Sequence, residues 1–416
     1  MSQQQLELPK GWSNSQLEDC VDILDGKRVP INSKERAKRK GEIPYYGATG
    51  QVGWIDDYLF DEELLLVGED GAPFFDRLKD TTYIISGKSW VNNHAHVLRA
   101  INKLVSNKLL CHYLNIFDYH EFVTGTTRLK LNQSSLRKIP IRLPPLNEQK
   151  RIVSKMEELF SKIDSTKQSL EHTKLQLYQY RHSLLKSAFE GKHTEKWEIK
   201  KLGDSDVSEI IMGQSPPGST YNKEKNGMPF FQGIKDFGEK FPIATVWCTK
   251  PKKIAKKGDI LLSVRAPVGT TNWAEEECCI GRGLVAIRPK IQSEYVYCFL
   301  KSIQIKLSGS GVGSVFNAIS KGELCQISLP VPSLQEQEQI VSQIEQGFTL
   351  IQNSQRIVNS TLQTLETMRM SVLKQAFEGK LVPQDPNDEP AEILLEQIKK
   401  AQVAQKPKQG RAKNVK

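Results

Sequence analysis

Residues 143–152, LPPLNEQKRI, recur as residues 331–340, VPSLQEQEQI, and residues 186–192, KSAFEGK, recur as residues 374–380, KQAFEGK. One offset of 188 covers both matches, so 139–192 lies on 327–380 without a gap and 22 of the 54 aligned positions are identical. Pro144 and Pro145 followed by Asn147 and Glu148 read as a break and then a helix start, and Pro332 to Glu336 repeats that grammar. No Gly or Pro follows until Gly191, which predicts a first helix of about 43 residues, roughly 65 Å long. Its apolar positions alternate by four and three: Ile152, Met156, Leu159, Ile163, Leu170, Leu177 and Leu184, with Thr166, Thr173 and Tyr180 completing the series. The second copy keeps the register through Ile340, Ile344, Ile351, Val358, Leu365 and Val372, with Gly347, Ser354, Thr361 and Met368 between them. A narrow heptad stripe over more than four repeats is a coiled-coil seam, and the partner expected for each helix is the other copy in the same chain. Gly191 and Gly379 fit helix C-caps, where positive φ ends the helix.

The chain has 416 residues, enough for two or three domains with real cores. Lys and Arg outnumber Asp and Glu by 58 to 48, giving a net charge of +10, and this balance favours an anionic partner. The seven cysteines include no C-x-x-C pair, so neither a disulfide framework nor a zinc site is suggested. No signal peptide and no run of about 18 apolar residues is present, so a cytoplasmic protein without a membrane partner is expected.

The flanks of the long helices are related more loosely. Trp12 and Leu17 match Trp197 and Leu202, and Pro44, Tyr45 and Tyr46 match Pro229, Phe230 and Phe231. Further on, Val91, Leu98 and Arg99 match Ile280, Ile287 and Arg288. The expected fold class is α+β: two similar mixed α/β heads, 1–142 and 193–330, joined by helices 143–192 and 331–380 that form an antiparallel coiled coil with a pseudo-twofold repeat. The tail, 381–416, should hold a short amphipathic helix through Ile393, Leu394 and Ile398 and a basic, disordered end.

In the first head the apolar runs 64–67, 83–85 and 96–98 alternate with glycine turns, as strands do. Residues 34–40 carry Lys34, Arg36, Lys38, Arg39 and Lys40 and read as a basic surface loop; Tyr45, Tyr46 and Thr49 follow closely, beside a Gly-Ala-Thr-Gly turn. Basic residues with aromatics and flexible backbone suit phosphate and base contact. Asn92, Asn93 and His94 form a polar cluster in which Asn offers the paired donor and acceptor that reads adenine, against a plain reading as strand-end caps. His94 and His96 would share a strand face, but no third ligand is evident and no metal is expected. Thr124, Thr126, Thr127, Arg128 and Lys130 make a hydroxyl-rich basic loop. The second head carries different side chains in its loops: Gln214 and Ser215, Lys235, Arg265, Arg282 between two glycines, and Ser310, Ser314 and Asn317 in a glycine-serine segment. Two related frames with different loop chemistry should bind two related but different targets.

Catalytic signatures are missing. Gly87-Lys88-Ser89 lacks the upstream glycine of a P-loop, and no Asn-Pro-Pro-aromatic or Asp-Pro-Pro-Tyr tetrad occurs. Asp61, Glu62, Glu69 and Asp70 could be drawn as a nuclease site, but loose acidic pairs near strands are commonplace. No catalytic residue is assigned.

The segments 143–152 and 331–340, the two Ala-Phe-Glu-Gly-Lys endings and the following Leu381-Val382-Pro383-Gln384-Asp385 resemble the conserved regions of type I restriction-modification specificity subunits. The resemblance covers nearly the whole chain. It implies a non-catalytic subunit whose two target recognition domains each read one half of an interrupted double-stranded DNA site, while the paired helices set the spacer and dock two methyltransferase subunits. Restriction and translocase subunits would complete the complex, and S-adenosylmethionine, ATP and magnesium would belong to those partners, with no cofactor in this chain. Two other readings stay open at this level: a single-chain methyltransferase or nuclease with fused recognition domains, and a coiled-coil adaptor that does not bind DNA.

Overall fold

The computed structural model describes residues 7–76, 79–190, 196–308 and 318–405. The chain divides into two compact units, Met1–Gln168 with Leu362–Lys416, and Ser169–Thr361. Both long helices are present as single elements of 44 residues, Leu146–Phe189 and Leu334–Phe377. Each unit therefore holds one head, the start of the helix that follows it, and the end of the other helix.

The repeated sequence at the helix starts has a packing reason. Gln149 is buried, and its amide donates to the carbonyls of Leu104 at 2.8 Å and Pro144 at 2.9 Å. Gln337 is buried at the matching place in the second unit, where it donates to Pro332 O at 2.9 Å and accepts from Gln292 N of the second head at 3.3 Å. A buried amide must find partners, and here it ties the helix start to its own head. The repeated Ala-Phe ends do the converse. Phe189 packs against Tyr295 and Phe299 of the second head, with ring centroids 5.2 and 5.5 Å apart, and Phe377 meets Tyr113 of the first head at 5.1 Å. Gly379 has φ +69°, as the expected C-cap requires; Gly191 lies outside the described residues.

The helices pair within the chain and run antiparallel in each unit. In the first, Asp164 meets Arg369 at 3.1 Å and Lys167 meets Glu366 at 2.6 Å. In the second, Arg181 lies 4.7 Å over the Phe348 ring, and Gly347 leaves room for Leu184. The seam of the second helix holds at seven-residue intervals: Ile344, Ile351, Val358 and Leu365 are all buried, with Ile340 and Val372 half-buried. On the first helix Ile152, Met156 and Ile163 are buried and Leu170 and Leu177 half-buried. Four positions shift by one residue, among them Val341 and Leu373, which are buried beside half-buried Ile340 and Val372. Phe160 and Leu185 are buried where Leu159 and Leu184 were expected, and both of those are half-buried. Tyr180 and Met368 are exposed. The helix there faces a head as well as its partner, so the buried stripe is wider than a two-helix seam and rotated from it.

The heads share one topology. In the first, Val21–Ile23, Ala95–Ala100, Leu64–Gly68 and Thr82–Ile85 form an antiparallel sheet in that order. Gly50–Ile55, Ile43–Gly47, Lys88–Val91 and Phe60–Asp61 form a second sheet, in which Ile43–Gly47 and Lys88–Val91 run parallel. In the second head the corresponding sheets are Ser208–Met212, Leu284–Pro289, Ile260–Ser263, Thr271–Trp273, and a five-stranded sheet whose Met228–Phe231 and Cys278–Ile280 strands are parallel. The runs Leu64–Gly68 and Ile260–Ser263 are buried at every residue, which explains why 64–67 is a continuous rather than an alternating apolar run. Each head is closed by a two-stranded ribbon, Ser13–Gln16 with Pro140–Leu143 and Glu198–Lys201 with Ser328–Val331.

The tail forms a helix, Ala391–Gln405. Its buried residues are Ala391 and Leu395 with Leu394 and Ile398 half-buried, while Ile393, expected on the apolar face, is exposed. The segment is fastened to the first unit by Arg151 on Asp388 at 2.6 Å, Ala391 N on Gly11 O at 2.9 Å and Lys399 on Asp19 at 3.0 Å. The basic end beyond residue 405 lies outside the described residues.

Candidate nucleic-acid interface

Three loops of the first head are bonded into one surface. Glu69 N donates to His94 O at 2.8 Å, and Leu131 N to Glu69 O at 2.8 Å. Gly71 N donates to Leu129 O at 2.9 Å. The turn at 48–49 joins them, since a Cβ at Gly68 would stand 3.0 Å from Ala48 O. This brings Thr49, Asn93, His94, Thr126, Thr127, Arg128 and Lys130 together from separate stretches of sequence, and all of them except half-buried His94 are exposed.

The other candidates of this head fall elsewhere or point inward. Residues 33–36 are a short helix, Ser33–Arg36, rather than a loop. Arg36 lies 4.6 Å over the Tyr45 ring, and Arg39 lies 4.7 Å over Trp90 and bonds Asp56 at 2.8 Å. Both arginines are thus tied down on the head, whereas Lys34, Lys38 and Lys40 are exposed and have no ion-pair partner among the described residues. Tyr45 is a core residue, 1% exposed. Tyr46 is half-buried beside Tyr83, ring to ring at 6.0 Å. Asn92 is buried and holds the turn, its Oδ1 accepting His94 N at 2.8 Å. His94 and His96 do not share a face: His94 stands 3.5 Å from Asp70, whereas His96 is 1% exposed, with Nδ1 2.6 Å from Asp25 and Nε2 2.8 Å from Leu131 O.

Beneath the loops lies an ionic layer of buried Asp25 and His96 and half-buried Glu69, joined by half-buried Arg28 and exposed Lys130. Arg28 bonds Glu69 at 2.7 Å and stands 3.5 Å from Asp25, while Lys130 is 3.5 Å from Glu69. Asp25 also accepts from Val97 N and Gln133 Nε2, each at 2.9 Å. Burial alone would raise the Asp25 carboxyl, but the His96 hydrogen bond and charge, with the amides of Val97 and Gln133, outweigh it and hold it below the usual carboxylate range. Asp25, Glu69 and His96 are the nearest approach to a metal-ligand set among the described residues. The arginine and lysine already neutralise the carboxylates and both imidazole nitrogens are bonded, so the set fits anchoring of the loops better than metal binding. Glu62 and Asp70 are matched by Arg99 and Arg128, each at 2.6 Å.

In the second head the same frame is built with other side chains. Gln214 N bonds Ile280 O at 2.9 Å, Arg282 N bonds Ser215 Oγ at 3.2 Å, and Val264 N bonds Gly283 O at 3.0 Å. Gln214, Arg265 and Arg282 are exposed, and Ser215 is half-buried. Lys235, in the short turn Ile234–Asp236, is exposed as well. Ser310, Ser314 and Asn317 lie outside the described residues. Equivalence between the heads follows from register. Gly68 pairs Ala95 as Ser263 pairs Leu284. The isolated bridge Asp70 with Lys130 corresponds to Arg265 with Ala318. By this register the ionic layer of the first head, at 25, 69, 96 and 130, is replaced by Met212, Val264, Val285 and Ala318.

The sequence reading missed the ionic layer, whose members come from segments far apart in the sequence. It also missed a duplicated clasp: Arg369 lies 4.3 Å over Phe160, as Arg181 lies over Phe348. Here a signal existed, because both residue types are identical between the copies.

Two heads of one topology, each opening a loop face of different polarity and each built into a unit with a paired long helix, define a duplicated recognition protein. The type I restriction modification DNA specificity domain matches residues 9–174 and 194–361. The Methanocaldococcus jannaschii protein described as the type I restriction enzyme MjaX specificity subunit is 30% identical over 415 residues, covering 90% of this chain and 95% of that one. The EcoKI specificity subunit of Escherichia coli is 25% identical, covering 96% and 97%. Among solved structures, a chain from work on complex assembly and conformational transition of the type I restriction-modification system aligns with a TM-score of 0.72 at 27% identity, covering 90% of this chain and 100% of that one. The crystal structure of the HsdS subunit from Thermoanaerobacter tengcongensis aligns at 0.61 and 27%, covering 92% and 100%. The chain belongs to the family of type I restriction-modification specificity subunits.

Proposed function

We propose that this chain is the DNA-reading subunit of a type I restriction-modification complex. Residues 1–142 and 193–330 act as its two target recognition domains, each reading one half of an interrupted site. The helices set the spacer and dock two methyltransferase subunits, and restriction and translocase subunits join that core. The observation that carries this reading is the pairing of one loop frame with two different sets of exposed side chains. Identical heads would read a palindrome; heads that differ at the loop tips read an asymmetric site. Lys and Arg contacts to phosphate supply sequence-independent affinity, and side chains at the tips discriminate bases.

The subunit itself carries no catalysis in this reading. Methyl donor, ATP and magnesium belong to the partner subunits, and the complex works in the cytoplasm beside the DNA. Among the described residues no helix is long and apolar enough to cross a membrane.

The test is single-molecule sequencing of DNA from cells expressing this chain with its cognate methyltransferase. Methyladenine should appear at one interrupted motif, and exchanging residues 1–142 for another head should change one half of it. An assembled complex that methylates no interrupted motif would overturn the proposal.

A further inference from the structure

Strand register makes Asn93 and Arg282 the same position of the duplicated fold. In the first head Tyr45 and Tyr46 run parallel to Trp90 and Val91, and in the second Phe230 and Phe231 run parallel to Cys279 and Ile280. Three residues follow in each case before the next strand begins at Ala95 or Leu284. Asn93 and Arg282 are the middle residues of these turns, and both are exposed.

The backbone that carries the two side chains is tied down. Asn92 N bonds Tyr46 O at 3.1 Å and Asn92 Oδ1 caps His94 N. Gly281 N bonds Phe231 O at 2.8 Å, and a Cβ at Gly283 would stand 2.3 Å from Gln232 O. Each turn is therefore pressed onto its neighbour; Arg282 stands out between two glycines, and Asn93 stands out beside the His94 ring, which lies against Asp70. Among the described residues neither the Asn93 nor the Arg282 side chain has a hydrogen-bond or ion-pair partner. The cations beside Asn93 are already committed: Arg128 is 2.6 Å from Asp70 and Lys130 is 3.5 Å from Glu69. A group that must first leave a carboxylate is a poorer discriminator of bases than one that is already free.

We infer that this turn position is the base-reading position of both heads, with Asn93 reading an adenine in one half-site and Arg282 a guanine in the other. The inference rests on the DNA-reading function proposed above. The chemistry is specific: an amide presents one donor and one acceptor, which match adenine N7 and N6, whereas a guanidinium presents two donors, which match guanine O6 and N7.

The test compares the methylated motif of the wild-type complex with those of Asn93→Ala and Arg282→Ala. The same three complexes, purified, are also put through binding selection on a library randomised in one half-site at a time. Asn93→Ala should make one A·T position of one half-site degenerate, with preference for the read base falling about 5- to 150-fold and the other half-site unchanged. Arg282→Ala should do the same to one G·C position of the opposite half-site. If either variant does not assemble, Asn93→Ser or Arg282→Ser replaces it, with the same expectation, since a hydroxyl does not select one base. Weaker binding with both half-sites unchanged would make these residues phosphate contacts and overturn the assignment, as would degeneracy at any other base pair. A wild-type complex with no interrupted motif overturns the DNA-reading function itself; an interrupted motif untouched by the variants overturns only this inference.

Discussion

Replacing His96 with alanine should unlock the loop face of the first head while leaving the second intact. The side chain is 1% exposed and makes two buried hydrogen bonds, to Asp25 at 2.6 Å and to Leu131 O at 2.8 Å. Its removal leaves the Leu131 carbonyl without that donor, at about 1–3 kcal/mol. Losing one partner of a buried charge pair costs about 3–5 kcal/mol when nothing remains for the other. Here Asp25 keeps Val97 N, Gln133 Nε2 and Arg28, so the full penalty does not apply. The expected sum is about 2–4 kcal/mol, which corresponds to amide exchange about 30- to 900-fold faster in the strands Ala95–Ala100 and Lys130–Leu131. Hydrogen exchange by mass spectrometry reads this locally and needs no two-state unfolding of a chain with two compact units. The pH dependence gives an independent reading. Asp25 titrates below its ordinary range when folded, so its contribution is present above about pH 4 and lost as pH falls through the folded value. Protection of these two strands should therefore fall on acidification in the wild type and stay flatter in Asp25→Asn. Exchange less than about 5-fold faster in His96→Ala would refute the argument that this layer positions the loops.

Phe160→Ala removes a buried ring from under Arg369 and should cost the first unit about 3–5 kcal/mol, seen as an earlier thermal transition; Phe348→Ala should cost less, because that ring is half-buried. Leu170→Pro, in mid-helix, removes a backbone bond and clashes with the preceding turn at about 3 kcal/mol or more, so helical circular dichroism should fall and methyltransferase subunits should no longer co-purify; normal co-purification would contradict the paired-helix role. Neutralising Lys34, Lys38 and Lys40 together should lower the slope of log affinity against log salt by about 0.9 for each phosphate that these lysines neutralise, and an unchanged slope would place them away from DNA. Arg39→Ala should instead act on stability, through the Trp90 stack and the Asp56 bond, and be read as an earlier thermal transition at an unchanged salt slope.

The parts legible in the sequence are those whose packing repeats along the chain. The helix starts and ends are alike in the two copies because Gln149 and Gln337 each tie a helix to its own head, and Phe189 and Phe377 each dock a helix end on the other head. The seam was readable at Ile351 and Val358, which keep the seven-residue interval, and slipped by one at Phe160 and Leu185, where a head adds a second surface to bury against. No heptad count carries that information, because it comes from residues far away in sequence. The loop face was legible only as composition. The cluster Asn92, Asn93 and His94 announces polarity, but that Asn92 turns inward and Asn93 outward depends on its strand lying parallel to the one bearing Tyr46. Asp25 and His96 are 71 residues apart, and nothing near either one signals the other. The duplicated register then assigns these differences a direction. The copies are alike where helix meets head, and differ both at the loop tips and in the layer under them, from Asp25, Glu69, His96 and Lys130 to Met212, Val264, Val285 and Ala318. A frame held constant while the tip and its support change together is what two readers of different half-sites require, since a new side chain at the tip discriminates only if its backbone is held as firmly as the one it replaces.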